Sequence, residues 1–134
     1  MKHLVLIGIL LVMKFTSAQT SDLKISLVEI TPTKGKIYVG VFNQKDFLRN
    51  PLKSGVIEAT DTTGTLIIKD LKHGDYAISV FHDLNSNGQF DMNEYGQPLE
   101  PWAMTGTNGK DQQPVWELAK FTFDSSTTSV QLKF

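Results

Sequence analysis

The chain has 134 residues, a formal net charge of −1 and no cysteine. This length allows one domain, and the lack of cysteine excludes disulfides, thiolate metal ligands and a thiol nucleophile. The 13 Lys and Arg residues are balanced by 14 Asp and Glu residues. This balance argues against nucleic acid as a partner, because phosphate binding draws on an excess of basic groups.

The first 18 residues have the pattern of a secretory signal peptide. A short basic start precedes an unbroken apolar run at residues 4–13, and small residues follow at 16–18. Ten apolar residues in a helix span about half of the ~30 Å hydrocarbon core, which favours a cleaved leader over an uncleaved membrane anchor. Cleavage after Ala18 leaves a domain of residues 19–134 with a charge of −3 and no membrane span. We therefore expect a secreted or periplasmic protein.

Short strands separated by turn residues make up the rest of the chain, and we find no amphipathic helix. Alternating apolar residues and turn clusters predict seven strands, at residues 23–27, 36–42, 56–60, 65–71, 76–82, 116–123 and 130–134. Strands of this number and spacing predict an all-β fold, a single antiparallel β-sandwich of immunoglobulin or transthyretin type.

Tyr76 follows the turn glycine Gly74 by two residues and enters the clearest strand. In sandwiches, a tyrosine so placed can return its hydroxyl to the backbone of the turn, as in the tyrosine corner. We therefore interpret Tyr76 as a structural residue.

The motif that carries chemistry is the segment 83–94, which fits the calcium-loop pattern D-x-[DN]-x-[DN]-G-x₅-E at every fixed position. Calcium takes six to eight hard oxygen ligands, which such a loop directs to one point. Gly88 lies where the loop must turn sharply, and Phe90 would tuck inward as an anchor. The predicted ligands are the side chains or, for Gln89, the backbone carbonyl of Asp83, Asn85, Asn87, Gln89, Asp91 and Glu94.

The surroundings of this loop differ from those of an EF-hand. A strand precedes it, and Gly96 and Pro98 follow where a helix would be needed. Two neutral Asn ligands indicate weak affinity, of the order of 10⁻⁴ to 10⁻³ M. The protein oxygens would close on the ion and leave no position for a substrate, which indicates a structural role for the ion. Two alternatives remain open: a metal-free turn in which the Asn side chains bond their own backbone, and a different divalent ion.

The run from residue 74 to 88, Gly-Asp-Tyr-Ala-Ile-Ser-Val-Phe-His-Asp-Leu-Asn-Ser-Asn-Gly, resembles the secreted bacterial family catalogued as domain of unknown function 2141. Asp91, Gly96, Pro98 and Glu100 continue the resemblance, which covers residues 23–134. It implies an exported, transthyretin-like β-sandwich and no established activity. The sequence departs from the family pattern at residues 101–105, which stand in place of a Gly-aromatic-Gly-Phe-Ser type run.

For function, we expect a non-enzymatic accessory or binding protein. An alternative is a module that binds carbohydrate or protein through the loop aromatics Tyr95 and Trp102, with a cell-envelope protein or glycan as partner. Trp116, on a predicted strand, is interpreted as a core residue.

A small hydrolase of transthyretin-like fold is a further alternative. The Tyr-Arg-Gly-Ser C-terminus of the hydroxyisourate hydrolases is absent, since the chain ends Ser-Val-Gln-Leu-Lys-Phe. His73 and His82 have acidic neighbours in Asp75 and Asp83, but no nucleophile lies nearby in sequence. His82 is interpreted as a residue at a strand end that hydrogen-bonds a loop.

Overall fold

A computed structural model describes residues 17–107 and 113–134. The predicted signal peptide, residues 1–18, lies almost wholly outside the described residues. Across the two described ranges, no helix has the length and apolar character needed to cross a membrane.

Strands dominate the described chain. Turn residues such as Pro32, Gly35 and Gly74 separate apolar runs that are too short for long helices. In chain order the elements are β1 (Thr20–Val28), β2 (Lys36–Phe42), β3 (Lys53–Glu58), β4 (Thr63–Lys72), β5 (Gly74–Asp83), β6 (Trp102–Met104), α1 (Trp116–Ala119), β7 (Phe121–Phe123) and β8 (Ser129–Lys133).

The strands form two sheets, which confirms the predicted all-β sandwich. One sheet has the order β4-β1-β8, and the other has the order β3-β2-β5-β6, with β7 paired to the first residues of β5. The pairs are antiparallel except β1 and β8, which run parallel with Ile25 opposite Val130. The predicted antiparallel sheet thus contains one parallel pair, which places the last strand beside the first.

The core lies between the sheets and follows the alternation of the sequence. Leu23, Ile25 and Leu27 of β1 are fully buried, and Ile37, Val39 and Val41 of β2 meet them from the other sheet. Residues 76, 78, 80 and 82 of β5 also point inward, whereas residues 77, 79, 81 and 83 lie on the outer face of the second sheet. Asp83 therefore ends β5 on the outer face.

Two parts of the fold differ from the sequence-based expectation. The predicted strand 116–123 is wrong in its first half, because residues 116–119 form the helical turn α1. This turn buries Ala119, whose carbonyl accepts the Thr105 hydroxyl at 2.6 Å. Trp116 is partly buried and packs edge-on against Phe47, at 5.6 Å between ring centroids, in a small second cluster. The short strand β6 was not predicted, and it places Trp102 on a sheet rather than in a loop.

The tyrosine corner is confirmed. The Tyr76 hydroxyl donates a hydrogen bond of 2.8 Å to the carbonyl oxygen of Lys72, and its ring packs near Gly74 and Phe123. Burial raises the pKa of Tyr76 above its ordinary value of 10.0. Because the folded chain holds this proton more tightly, the associated stability is present below about pH 10 and is lost as the pH rises through the raised value.

We expect Tyr76→Phe to lower the free energy of unfolding by about 1 kcal/mol, because the ring stays buried and a single hydrogen bond is lost. Urea denaturation at neutral pH measures this change. Tyr95→Phe is the matched control, since Tyr95 is 80% exposed. Equal stabilities of the two variants would contradict a structural role for the Tyr76 hydroxyl.

Candidate metal site

Asp83 is the first residue of the candidate loop and the most deeply buried acid in it. Its relative exposure is 0%. Oδ2 accepts the amide of Gly88 at 2.8 Å and Oδ1 accepts the amide of Asn87 at 3.2 Å. Gly88 has a φ of +74°, a backbone conformation that glycine adopts without strain. One buried carboxylate thus closes the sharp turn of the loop.

Three further side chains of the predicted ligand set converge next to Asp83. The Asn85 side-chain amide donates to Asp91 Oδ2 at 2.7 Å, and the Asn87 amide donates to both Asp91 oxygens, at 2.8 and 3.0 Å. The Oδ1 atoms of Asn85 and Asn87 accept the backbone amides of Asn87 and Gln89. The structure therefore brings together Asp83, Asn85, Asn87 and Asp91, in Asn turns of the kind that also form without metal.

Glu100 is a member of this site that the loop pattern does not include. It is 6% exposed, and its oxygens accept the amides of Leu84 at 3.0 Å and Asp91 at 3.3 Å. Glu100 thereby ties the first and the second half of the loop to the segment just before β6. The loop motif did not identify Glu100, because this residue lies six positions beyond the end of the pattern. Glu100 does belong to the Gly-x-Pro-x-Glu run that contributed to the family resemblance.

The remaining predicted residues lie further out. Glu94 is exposed, and no hydrogen bond to the four converging side chains is described for it. Gln89 is exposed, and its amide hydrogen-bonds Asn87. Tyr95 is 80% exposed, whereas Trp102 is partly buried on β6 opposite Phe81, so the two aromatics have different surroundings.

Fully buried Asp and Glu side chains are rare in proteins unless they are paired. Asp83 and Glu100 are buried carboxylates, and among the described residues none of the ion pairs involves either of them or Asp91. In the described ranges, no three His, Cys, Asp or Glu side chains form a group that could hold a metal. A cation bound here would therefore need the Asn side-chain oxygens or backbone carbonyls as well.

The loop folds back over the outer face of the second sheet. Phe90 packs on Phe81 of β5, with ring centroids 5.3 Å apart. Met92 and Pro98 form an isolated antiparallel bridge that closes the second half of the loop. The predicted anchoring role of Phe90 agrees with this packing.

The two histidines that the structure describes, His73 and His82, each have a hydrogen-bond partner. His82 is fully buried, and its Nε2 lies 2.6 Å from the Lys34 carbonyl oxygen, so this nitrogen carries a proton and donates to the loop before β2. His73 Nε2 lies 2.7 Å from Ser21 Oγ. Serine is a residue type that can act as a nucleophile, and Ser21 is 52 residues away from His73 in sequence. Asp75 instead accepts from Thr122, and no described hydrogen bond joins a carboxylate to His73.

The fold and the loop together define an all-β protein of two packed sheets with an Asp- and Asn-rich loop at one end. The chain belongs to a bacterial family, DUF2141, described as uncharacterized protein conserved in bacteria, which matches residues 25–131. This match confirms the resemblance found in the sequence. No curated protein and no solved structure matches the chain.

Proposed function

We propose that the protein is an exported, non-enzymatic accessory or binding protein in which the loop 83–94 holds a structural calcium ion. The observation that carries the proposal is the pair of buried carboxylates, Asp83 and Glu100, without a cationic partner in the described ranges. Buried charges in proteins are paired or coordinate metals. A hard dication satisfies that requirement with the oxygen ligands present here.

The arrangement of the Asn side chains supports a direct test. Asn85 and Asn87 turn their NH₂ groups toward Asp91. The Asp91 carboxylate therefore accepts its side-chain hydrogen bonds from neutral donors. A calcium ion would replace these NH₂ groups as the partner of Asp91, and rotation of the amides would present their oxygens to the ion. Glu94 lies at the twelfth loop position, where a calcium loop supplies its bidentate ligand.

We expect 10 mM calcium to raise the melting temperature of the purified protein by roughly 5–10 °C, because this concentration is about 10 to 100 times the predicted dissociation constant. Magnesium should give a smaller rise, because it demands octahedral geometry and dehydrates reluctantly. Differential scanning calorimetry in EDTA, calcium and magnesium measures both effects.

Two glutamate variants separate ligation from support of the loop. Glu94→Gln should leave the melting temperature in EDTA unchanged, since Glu94 is exposed, and should remove the calcium-dependent rise. Glu100→Gln should lower the melting temperature even in EDTA, since Glu100 accepts two backbone amides. Glu117→Gln, an exposed change on α1, is the control. The absence of any calcium response in the wild type would reject the ion and leave a metal-free turn.

A further inference from the structure

The outer face of the second sheet carries a row of apolar side chains. The strand register places Val56, Tyr38, Phe81 and Trp102 side by side on four neighbouring strands. We call these four residues, three of which are aromatic, the aromatic row. Tyr38 and Phe81 stack with ring centroids 5.1 Å apart and an interplanar angle of 11°. The row spans about 14 Å at the usual spacing of strands, and all four side chains are at least partly exposed.

A groove runs beside the aromatic row because the next row holds small residues. Ser54, Gly40 and Ser79 are neighbours in the register, and the Phe42 ring lies over Gly40, so Ser54, Phe42 and Ser79 form its floor. Two cavities, of about 400 and 580 Å³, lie along this face and share Ser79. Pro51 lines the smaller of the two cavities and Leu48 lines the larger. We call this feature the sheet groove.

The charge of the sheet groove limits what can bind in it. Every described residue that lines the two cavities is uncharged. A charged ligand would lose hydration here without gaining an opposite charge, which is unfavourable. The serine hydroxyls of the floor offer hydrogen bonds to a neutral polar ligand. The groove is therefore matched to an uncharged occupant with both apolar faces and hydrogen-bonding groups.

The position of the groove on a sheet face separates two neutral occupants. The backbones of β2 and β5 are paired on both sides, so at Gly40 and Ser79 the floor has no free main-chain groups for a peptide. A peptide laid there would bury amides without partners, whereas peptides that bind sheets add to an edge. A sugar ring instead offers an apolar face for stacking on aromatic side chains and keeps its hydroxyls at the rim.

We propose that the sheet groove binds a neutral glycan chain, with Trp102 as the stacking surface and the floor serines as hydrogen-bond partners. This inference rests on the proposed function, because the calcium loop supplies Phe90, which packs on Phe81 and lines the larger cavity. Of the two aromatic residues predicted from the sequence to bind a ligand, Trp102 lines the groove and Tyr95 does not.

The test is isothermal titration of the purified protein, in millimolar calcium, with neutral β-1,4-linked hexasaccharides of glucose, mannose, xylose and N-acetylglucosamine. At least one should bind, and Trp102→Ala should weaken its binding at least tenfold. Tyr95→Ala should keep the affinity within twofold, since Tyr95 does not line the groove. Val56→Lys should also weaken binding at least tenfold. It introduces a charge into the groove at a position that is 45% exposed, so folding is preserved.

The remaining outcomes decide between the ion and the groove. Failure of all four hexasaccharides to bind, or binding unchanged by both Trp102→Ala and Val56→Lys, would overturn the groove. A calcium-dependent thermal shift without glycan binding would do the same and leave the ion intact. Glycan binding that persists in EDTA, in a protein without a calcium response, would support the groove and reject the ion. Preferential binding of a neutral proline-rich peptide would overturn the choice of a glycan.

Discussion

Replacing Asp83 with alanine should lower the free energy of unfolding by about 3 kcal/mol in EDTA, and it should also abolish stabilisation by calcium. The carboxylate is fully buried and accepts the amides of Asn87 and Gly88. Its removal leaves two amides of a tight turn without their acceptor. Hydrogen bonds to charged acceptors are among the stronger ones in proteins, so the loss should exceed that of an ordinary surface turn.

A second variant distinguishes the two roles of Asp83. Asp83→Asn keeps one oxygen for the Gly88 amide but removes the charge, so it should lose about half as much stability in EDTA and all of the calcium response. Chemical denaturation with and without calcium measures both quantities. Asp61→Ala is the control, because Asp61 is exposed and bonds its neighbour Thr62 in a turn. An effect of Asp83→Ala no larger than that of Asp61→Ala would show that the carboxylate does not hold the loop.

Gly35→Ala should destabilise the fold by about 3 kcal/mol, from left-handed backbone strain together with overpacking. Gly35 has a φ of +76°, and a Cβ atom there would lie 2.4 Å from the backbone carbonyl oxygen of Asp83. The strand end that carries Asp83 would have to move. We therefore also expect a weaker calcium response, measured by the same thermal scans.

Gly96→Ala provides a matched control for Gly35→Ala. Gly96 has a nearly identical φ of +75° but no atom within 4 Å of its would-be Cβ. This control should show the backbone strain alone, about 1–2 kcal/mol, and keep the calcium response. Equal losses in the two variants would contradict the importance of the close approach between Gly35 and Asp83.

Local patterns explain which parts of the fold could be predicted. The alternation of Leu23, Ile25 and Leu27 marks a half-buried strand without any knowledge of its partners. Residues 116–119 also contain spaced apolar residues, yet the structure buries Ala119 and leaves Leu118 53% exposed. The reason is nonlocal, since α1 packs against Gly106, where a Cβ would lie within 1.7 Å of the Leu118 carbonyl oxygen. No sequence pattern within residues 116–123 indicates the contact with Gly106.

In the candidate site, too, the residues set by local spacing were predictable and those set by nonlocal contacts were not. Asp83, Asn85, Asn87 and Asp91 were predicted together because the spacing within one loop dictates their convergence. Glu100 lies beyond the loop, and its role depends on how the chain returns to β6. Of the aromatic row only Trp102 was singled out from the sequence, because its members come from four strands and only the register makes them neighbours.

The parallel pairing of β1 with β8 bears on when the domain can complete its fold. β1, the first strand, lies between β4 and β8 in its sheet, and β8 is the last strand. This sheet is therefore built from contacts between the two ends of the chain, which are slow to form because a long loop must close first. A chain that emerges N-terminus first cannot finish this sheet until residues 129–133 are free. If the chain is exported as proposed, this order of events keeps the sheet incomplete until residues 129–133 have been released.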